Sequence, residues 1–268
     1  MPTVDIEPGF ETYYEEDYFG PPWEDGEPVV LLHGFAEDGR AWNPWVPDLA
    51  RNFRVYRPEL RGFGRSTFTE PHHDWSFDEY VADLATFMDR VGLASAHIVA
   101  AKIGGAIAYK FAAEHPERLR SLSVVSGPAS SRDTGGSADI TTIPEVIRTD
   151  GQRAWAADTM DARLGPDAPP EMHDWWIDYM ASADTNVCIA VAERFENLDL
   201  SPVLGDITVP TLVLTTDESP LASVETVREW AGRIPDAEVV VLEGEEFHPA
   251  AVRPQECLEH VRPFLEAQ

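Results

Sequence analysis

The sequence predicts an α/β fold built on a doubly wound, mostly parallel sheet, and two patterns support this prediction. Short apolar runs recur along the chain, and several lack the alternation of a half-exposed strand. Such runs are typical of parallel strands that are covered on both faces. Amphipathic stretches with helical spacing separate the runs, and regular strand-helix alternation favours a doubly wound sheet.

Six apolar runs are predicted to be strands. In chain order they are Val29–Leu32, Phe53–Tyr56, His97–Ala100, Leu122–Val125, Thr211–Leu214 and Val239–Leu242. A helix is predicted over residues 76–91, where Ser76 opens a capping box. Apolar residues at helical spacing predict further helices after Lys102, from Val224 to Ile234 and from Leu258 to Leu265.

Residues 130–205 interrupt this rhythm. They are rich in Gly, Pro, Asp, Trp and Met, and they contain helical pieces such as Met172–Met180 but no clear strand. We therefore expect a core formed by residues 1–129 and 206–268 and a helical cap formed by residues 130–205. A chain of 268 residues is long enough to bury the core of such a domain.

The charge balance narrows the range of partners. The chain has 48 acidic and 20 basic residues, a formal net charge of −28. Because this charge repels nucleic acid and anionic membranes, we expect neither as a partner. The expected partner is a small-molecule substrate, on the grounds of the motifs and the aromatic residues described below. Monomer and homodimer both stay open.

The remaining bulk features favour a cytoplasmic protein without a cofactor. Cys188 and Cys257 have no metal-ligand spacing, which fits a reducing compartment. The start of the chain lacks the pattern of a signal peptide, and no apolar run approaches the ~18 residues of a membrane helix. Phosphate-binding and dinucleotide-binding motifs are absent from the sequence, and so is metal-ligand spacing, so we expect no cofactor and no metal.

Three motifs follow successive predicted strands. They are a strand running into a His-Gly turn (Val29–Phe35, VVLLHGF), the stretch Tyr56–Ser66 (YRPELRGFGRS) and the turn Val99–Gly105 (VAAKIGG). Their order and spacing resemble the α/β-hydrolase superfamily over roughly residues 10–130 and 206–268. The resemblance implies a sheet of the α/β-hydrolase type, with a nucleophile turn of the form G-x-S-x-G at residues 100–104.

Lys102 stands where this resemblance implies the nucleophilic serine. The chain has only two lysines, Lys102 and Lys110, so the position is notable. The resemblance also implies that the backbone N–H groups of Phe35 and Ile103 form an oxyanion hole. In an alternative interpretation, His33 and its neighbouring glycine only shape the turn.

The other two triad members are less regular. His248 follows the last predicted strand, as the resemblance implies for the catalytic histidine. Ser219 occupies the position of the family's aspartate. Asp217 or Glu218 could orient His248 instead, or both could be surface acids of a very acidic protein.

A lysine changes the chemistry of the turn. Attack by Lys102 on an ester would leave a stable amide, so serine-type hydrolysis is disfavoured. The amine could act as a cation or general acid beside His248, form a Schiff base with a ketone or aldehyde, or be inert. A solvent-facing lysine is a further interpretation. Replacement of a natural serine alone is disfavoured, because Ala100 and Ser219 also depart from the family pattern.

Aromatic residues near the motifs suggest a hydrophobic pocket. The residues predicted to line it are His33, Trp42, Trp45, Trp175, Trp176 and Ser219. The leading hypothesis is a cofactor-independent hydrolase or lyase for a small hydrophobic or aromatic carbonyl compound, with Lys102 and His248 handling protons. The alternative is a ligand-binding protein of the same fold without turnover.

Overall fold

Nine strands form one sheet in the part of the chain that the computed structural model describes, residues 2–68, 74–132 and 140–268. They are β1 (Thr3–Glu7), β2 (Phe10–Asp17), β3 (Glu27–Leu32), β4 (Phe53–Pro58), β5 (Thr67–Phe68), β6 (Ala96–Ala101), β7 (Leu119–Val125), β8 (Thr211–Thr216) and β9 (Ala237–Leu242). The order across the sheet is β1-β2-β4-β3-β6-β7-β8-β9, and β5 pairs with β2. The six strands β4, β3, β6, β7, β8 and β9 pair parallel with one another in this order. The pairs β1–β2, β2–β4 and β2–β5 are antiparallel.

The central strands are buried on both faces. Along β3, Val29 and Leu31 join the apolar cluster on one face of the sheet, and Val30 and Leu32 join the cluster on the other. All four side chains are completely buried. Both faces need apolar residues, which explains why this run lacks alternation and confirms the predicted fold class.

Eleven α-helices are present in the described residues, and some of them cover both faces of the sheet. They are α1 (Val46–Leu49), α2 (Phe77–Arg90), α3 (Ile103–Glu114), α4 (Ile143–Asp150), α5 (Gln152–Asp158), α6 (Met160–Leu164), α7 (Pro170–Ala181), α8 (Thr185–Phe195), α9 (Val224–Ala231), α10 (Pro249–Val252) and α11 (Pro254–Glu266). The Ser76 hydroxyl accepts a hydrogen bond from the Glu79 N–H, so the predicted cap of α2 is confirmed. Helices α2, α3 and α9 pack on one face, and α11 packs on the other.

The antiparallel hairpin β1–β2 was not predicted from the sequence. Its residues are rich in Glu and Asp, which are depleted in strands and weaken the pattern. Only part of β2 is buried, including Phe10 and Tyr13. The hairpin is an edge addition, and several of its acidic side chains pair with arginines of β4 at the edge of the sheet.

Helices α4 to α8, called the cap helices below, lie between β7 and β8 in the chain. Helix α5 packs against α7, and α4 packs against α8. The predicted cap range, 130–205, includes residues 133–139, which lie outside the described residues, and the division into core and cap stays a prediction. Within the described ranges, no helix has both the length and the apolar character needed to cross a bilayer.

Candidate active site

Lys102 occupies the sharp turn between β6 and α3. Its backbone has φ 56° and ψ −120°, and such a conformation costs a non-glycine residue roughly 1–3 kcal/mol. The Lys102 N–H donates to the Val125 carbonyl of β7, and the Lys102 carbonyl accepts from Ala106 in α3. The neighbouring strand and the following helix thus hold the strained turn in place.

Close packing explains the two glycines after Lys102. A Cβ at Gly104 would lie 2.5 Å from the Leu32 carbonyl oxygen and 2.6 Å from that of His33. A Cβ at Gly105 would lie 2.9 Å from the Gly127 Cα. Only glycine lets α3 approach β3 and the end of β7 this closely, so the Gly-Gly pair is required by the turn.

The Lys102 side chain is buried and lacks a hydrogen bond. Its Nζ lies 4.2 Å from the centre of the Phe247 ring and 4.0 Å from Glu37 Oε1. No hydrogen-bond partner for Nζ exists among the described residues. By contrast, Lys110 pairs with Asp78 and Glu114 at the surface. The solvent-facing interpretation of Lys102 is therefore wrong.

Glu37, which sequence reasoning missed, lies at the centre of the site. It follows the His-Gly turn and is 2% exposed, and its Oε2 accepts a hydrogen bond from the Gly34 N–H at 2.9 Å. Its Oε1 lies 4.0 Å from both Lys102 Nζ and Arg163 Nη1. The only sequence signal for Glu37 is its position close behind the His-Gly motif, and this signal is weak in a chain with 48 acidic residues.

His248 meets the same carboxylate. Its Nε2 lies 3.2 Å from Glu37 Oε1, although the geometry falls short of a well-aligned hydrogen bond. The Trp176 ring packs edge-on against the imidazole at 5.2 Å between centroids. The backbone N–H of His248 donates to the backbone carbonyl of Arg163, and this bond connects the loop after β9 to α6. The structure thus brings the two predicted residues, Lys102 and His248, to one buried carboxylate.

Burial and neighbouring charges shift every pKa in this cluster. Burial opposes ionisation of Glu37, yet His248, Lys102 and Arg163 hold the pKa of its carboxyl well below the ordinary range. Burial lowers the pKa of His248 to about 4 and that of Arg163 to about 10. Burial and the nearby Arg163 guanidinium lower the pKa of Lys102 well below its ordinary value.

These shifts assign charges to the cluster near pH 7. His248 is neutral there, so it does not supply the positive charge that keeps Glu37 ionised. Arg163 remains a cation and balances the one carboxylate. A second buried cation would be uncompensated, which is costly. Burial and the Arg163 charge therefore both favour the neutral form of the Lys102 amine.

A cavity of about 290 Å³ lies beside Lys102, between the carboxyl ends of the strands and the cap helices. Most of its lining is apolar or aromatic, including Phe35, Ile103, Val146, Trp155, Phe195 and Phe247. Lys102, Arg163, Asp158 and Thr159 add polar groups. The volume is close to the lower end of the range for small-molecule sites, roughly 300–1,000 Å³.

The two predicted oxyanion donors border this cavity. Phe35 and Ile103 both line it. In the described part of the chain, neither backbone N–H donates to another backbone group. Ile103 is the first residue of α3, where N–H groups have no partner within the helix. The oxyanion-hole role stays a prediction.

The prediction that Asp217 or Glu218 orients His248 is wrong. Both are exposed, whereas His248 is buried. The Asp217 carboxylate instead accepts a hydrogen bond from the Gly244 N–H at 2.8 Å, and the Glu218 N–H donates to the Gly244 carbonyl. The two acids therefore belong to a surface turn that links the ends of β8 and β9.

The predicted pocket lining also needs correction. Trp42 and Trp45 are buried in the apolar cluster on the opposite face of the sheet, where the Trp45 Nε1–H donates to the Ala250 carbonyl. The fully buried His33 joins two turns, since Nδ1 donates to the Gly34 carbonyl and Nε2 accepts from the Leu60 N–H. The alternative interpretation, that His33 shapes the turn, fits this geometry.

Three further pocket residues have mixed outcomes. Trp175 is 45% exposed and packs on its neighbour Trp176. Trp176 is buried against His248, so it belongs to the site although it does not line the cavity. The Ser219 hydroxyl accepts a hydrogen bond from the Leu221 N–H and stays in its own turn.

This fold and turn define a known family. The sequence profile of the alpha/beta hydrolase fold family matches residues 27–250, and the chain belongs to that family. The chain is similar to the putative carbamate hydrolase RutD of Caulobacter sp. (strain K31), at 30% identity over 241 residues that cover 84% of each protein.

Two further proteins are similar to this chain, one in sequence and one in structure. The bifunctional epoxide hydrolase 2 of Sus scrofa is 30% identical over 124 residues, which are 46% of this chain and only 21% of that protein. The structure of the enol-lactonase from Burkholderia xenovorans LB400 has a TM-score of 0.88 at 24% identity and covers 99% of this chain and 100% of that one. The last likeness establishes the fold alone.

Proposed function

We propose that the protein is a cofactor-independent hydrolase or lyase that cleaves a bond next to the carbonyl group of a small hydrophobic or aromatic compound. The Lys102 amine forms a Schiff base with that carbonyl. One observation carries the proposal, namely that Lys102 Nζ is buried, has no hydrogen bond among the described residues and faces an apolar cavity. Desolvated lysines beside a second cation are activated as nucleophiles in this way.

The fold offers a second route, acyl transfer, and the lysine argues against it. An acyl group on Lys102 would form an amide, which water hydrolyses far more slowly than a serine ester. An imine is different, because water removes it readily once it is protonated. The hydrolase names of the relatives agree with a reaction that ends in hydrolysis.

The reaction balances with the groups present and water. The Lys102 nitrogen bonds to the carbonyl carbon, one N–H proton and one proton from solvent move to the oxygen, and water leaves. The resulting iminium accepts the electron pair of a C–H or C–C bond on its α-carbon as that bond breaks. The detached group leaves as a proton taken up by His248, as carbon dioxide from a carboxylate, or as an aldehyde from a hydroxyl-bearing carbon whose hydroxyl proton passes to His248. Protonation at carbon and addition of water then release the product and restore the amine.

His248 and Glu37 are the proton-transfer pair in this scheme. A neutral imidazole can accept a proton near pH 7, and the carboxylate 3.2 Å away stabilises the imidazolium that results. In this scheme the N–H groups of Phe35 and Ile103, two residues that line the cavity, bind the carbinolamine oxygen. Each group thus acts at a different atom of the reaction.

Trapping with sodium cyanoborohydride and mass measurement tests the proposal. Wild-type protein is incubated with small aromatic ketones and aldehydes, and peptide mapping locates the reduced adduct. We expect modification of Lys102 and loss of both adduct and turnover in Lys102→Met. Lys110→Arg is the matched control and should behave as wild type, because Lys110 is paired at the surface.

The outcomes separate the two leading hypotheses. An adduct at Lys102 with product formed supports the enzyme. Ligand binding that raises the Tm, without adduct or product for any carbonyl compound, would overturn it and leave the ligand-binding protein.

A further inference from the structure

Arg163 is a second cation at the cavity, and we propose that it binds a carboxylate of the substrate. This inference rests on the proposed function, since it makes the carbonyl compound an oxo acid with an apolar or aromatic tail. Arg163 belongs to α6 and is 5% exposed. Its guanidinium carbon lies 5.0 Å from the centre of the Phe247 ring, and Lys102 Nζ lies over the same ring.

The guanidinium of Arg163 has few partners for a buried group. Its Nε has no hydrogen bond in the described residues, and Nη2 reaches only the Thr159 hydroxyl at 3.5 Å. Its contact with Glu37 is 4.0 Å, beyond hydrogen-bond range. Since guanidinium carries five N–H donors in a planar fork, most of this fork is left unused.

The buried Arg61 provides an internal comparison. It donates to Asp83 through both Nε and Nη2, and it also bonds Glu7 and Glu79. In the same fold, a structural buried arginine is therefore saturated with carboxylates. Arg163 differs from Arg61 because its guanidinium borders a cavity, where an anionic ligand could accept hydrogen bonds from it.

Charge balance favours an anionic substrate at this site. Before reaction, Glu37 balances the Arg163 charge, and burial favours the neutral form of the Lys102 amine. The iminium adds one positive charge to the buried cluster. A neutral ketone would leave that charge uncompensated, whereas a carboxylate beside Arg163 restores neutrality. Schiff-base formation is thus favoured when the substrate brings its own negative charge.

The distances set the size of the acid. Lys102 Nζ and Arg163 Nη1 each lie 4.0 Å from the same oxygen of Glu37 and are therefore at most about 8 Å apart, so a carbonyl and a carboxylate separated by a few bonds can reach both nitrogens. Beyond them, Val146 and Phe195 line the cavity and can cover a hydrocarbon tail.

A matched pair of probes tests the inference in wild-type protein. The probes are 2-oxo-4-phenylbutanoate and 4-phenylbutan-2-one, which share the ketone and phenyl tail and differ in the carboxylate. We expect cyanoborohydride to trap the oxo acid on Lys102 at concentrations about ten- to a hundred-fold lower, which is the effect of one or two hydrogen bonds to a charged group. Equal trapping of the two probes would overturn the carboxylate site while leaving the Schiff base intact.

Variants locate the preference. The ketone of a 2-oxo acid is intrinsically more reactive than a methyl ketone, so each preference is compared with that of N-acetyllysine methyl ester under the same conditions. Arg163→Met should lower the preference to that reference value, whereas Arg153→Met, an exposed change in the neighbouring helix α5, should keep the wild-type preference. An undiminished wild-type preference in a folded Arg163→Met protein would overturn the assignment.

A third probe, 4-phenylbutanoate, has the carboxylate but no ketone. If it raises the Tm of wild type, while neither carbonyl probe is trapped, the carboxylate site stands and the Schiff base fails. If it leaves the Tm unchanged at concentrations that trap the oxo acid, Arg163 is not a carboxylate site.

Discussion

Replacing Glu37 with glutamine tests which cation balances the buried carboxylate. The amide keeps the size of the side chain, and its oxygen can still accept from the Gly34 N–H. It removes the negative charge, however, and leaves a buried cation without its partner. Such a loss costs about 3–5 kcal/mol, which corresponds to a fall in Tm of roughly 6–20 °C for a protein of this size.

A double-mutant cycle then separates the two cations. Lys102 and Arg163 both lie 4.0 Å from Glu37 Oε1, so distance does not distinguish them. A unit charge at that distance interacts with about 4 kcal/mol at an effective dielectric constant of 20, whereas a neutral amine contributes almost nothing. We expect a coupling of about 2–4 kcal/mol between Glu37→Gln and Arg163→Met, and below about 1 kcal/mol with Lys102→Met.

The assay is urea unfolding of the single and double variants at pH 7.5 and fixed ionic strength. The exposed pair Arg153–Asp178 supplies the control, and its coupling should stay below about 1 kcal/mol. A large coupling to Lys102 together with a small one to Arg163 would refute the reasoning, because Lys102 would then be the cation and the neutral nucleophile would be lost.

Three further predictions follow from the geometry. Burial lowers the pKa of His248 from about 6.5 to about 4, so the unfolded state binds more protons than the folded state between these pH values. The free energy of unfolding should therefore fall by about 3 kcal/mol as the pH drops from above 6.5 to 4. Urea unfolding of His248→Gln across this range should lack that component. Gly104→Ala places a Cβ 2.5 Å from the Leu32 carbonyl and should lower the free energy of unfolding by about 2–3 kcal/mol, whereas Gly205→Ala, whose nearest contact is 3.8 Å, should change it little. Lys102→Ser should hydrolyse p-nitrophenyl acetate faster than wild type if the oxyanion donors are competent, and a rate equal to wild type would count against them.

Local patterns were enough to predict the core of the fold. The strands β3 and β6 need apolar side chains on both faces, and that requirement is visible in Val29–Leu32 and His97–Ala100 without any tertiary information. The hairpin β1–β2 is different, because much of its surface faces water and its acidic residues resemble a loop. Its existence depends on pairing with β4, a contact distant in sequence.

The same distinction applies to the site. The position of Lys102 follows from a turn whose glycines are required locally by close packing, and His248 follows from its place after the last strand. Arg163 comes from a cap helix, where no motif marks it, and reaches the site only through the packing of α6 on the loop that carries His248. Trp42 and Trp45 were misplaced because their position near the His-Gly turn does not reveal which face of the sheet they cover.

The acid that meets His248 is Glu37, in the turn after β3, and not Asp217 after β8. An acid at the Ser219 position would serve a histidine that activates serine, whereas the buried Arg163 guanidinium needs a negative charge on its own side of the histidine. A carboxylate in the turn after β3 meets that need, since its Oε1 contacts Lys102, Arg163 and His248 together. The lysine in the turn and the acid after β3 are therefore parts of one site, in which Arg163 supplies the charge that compensates the buried carboxylate.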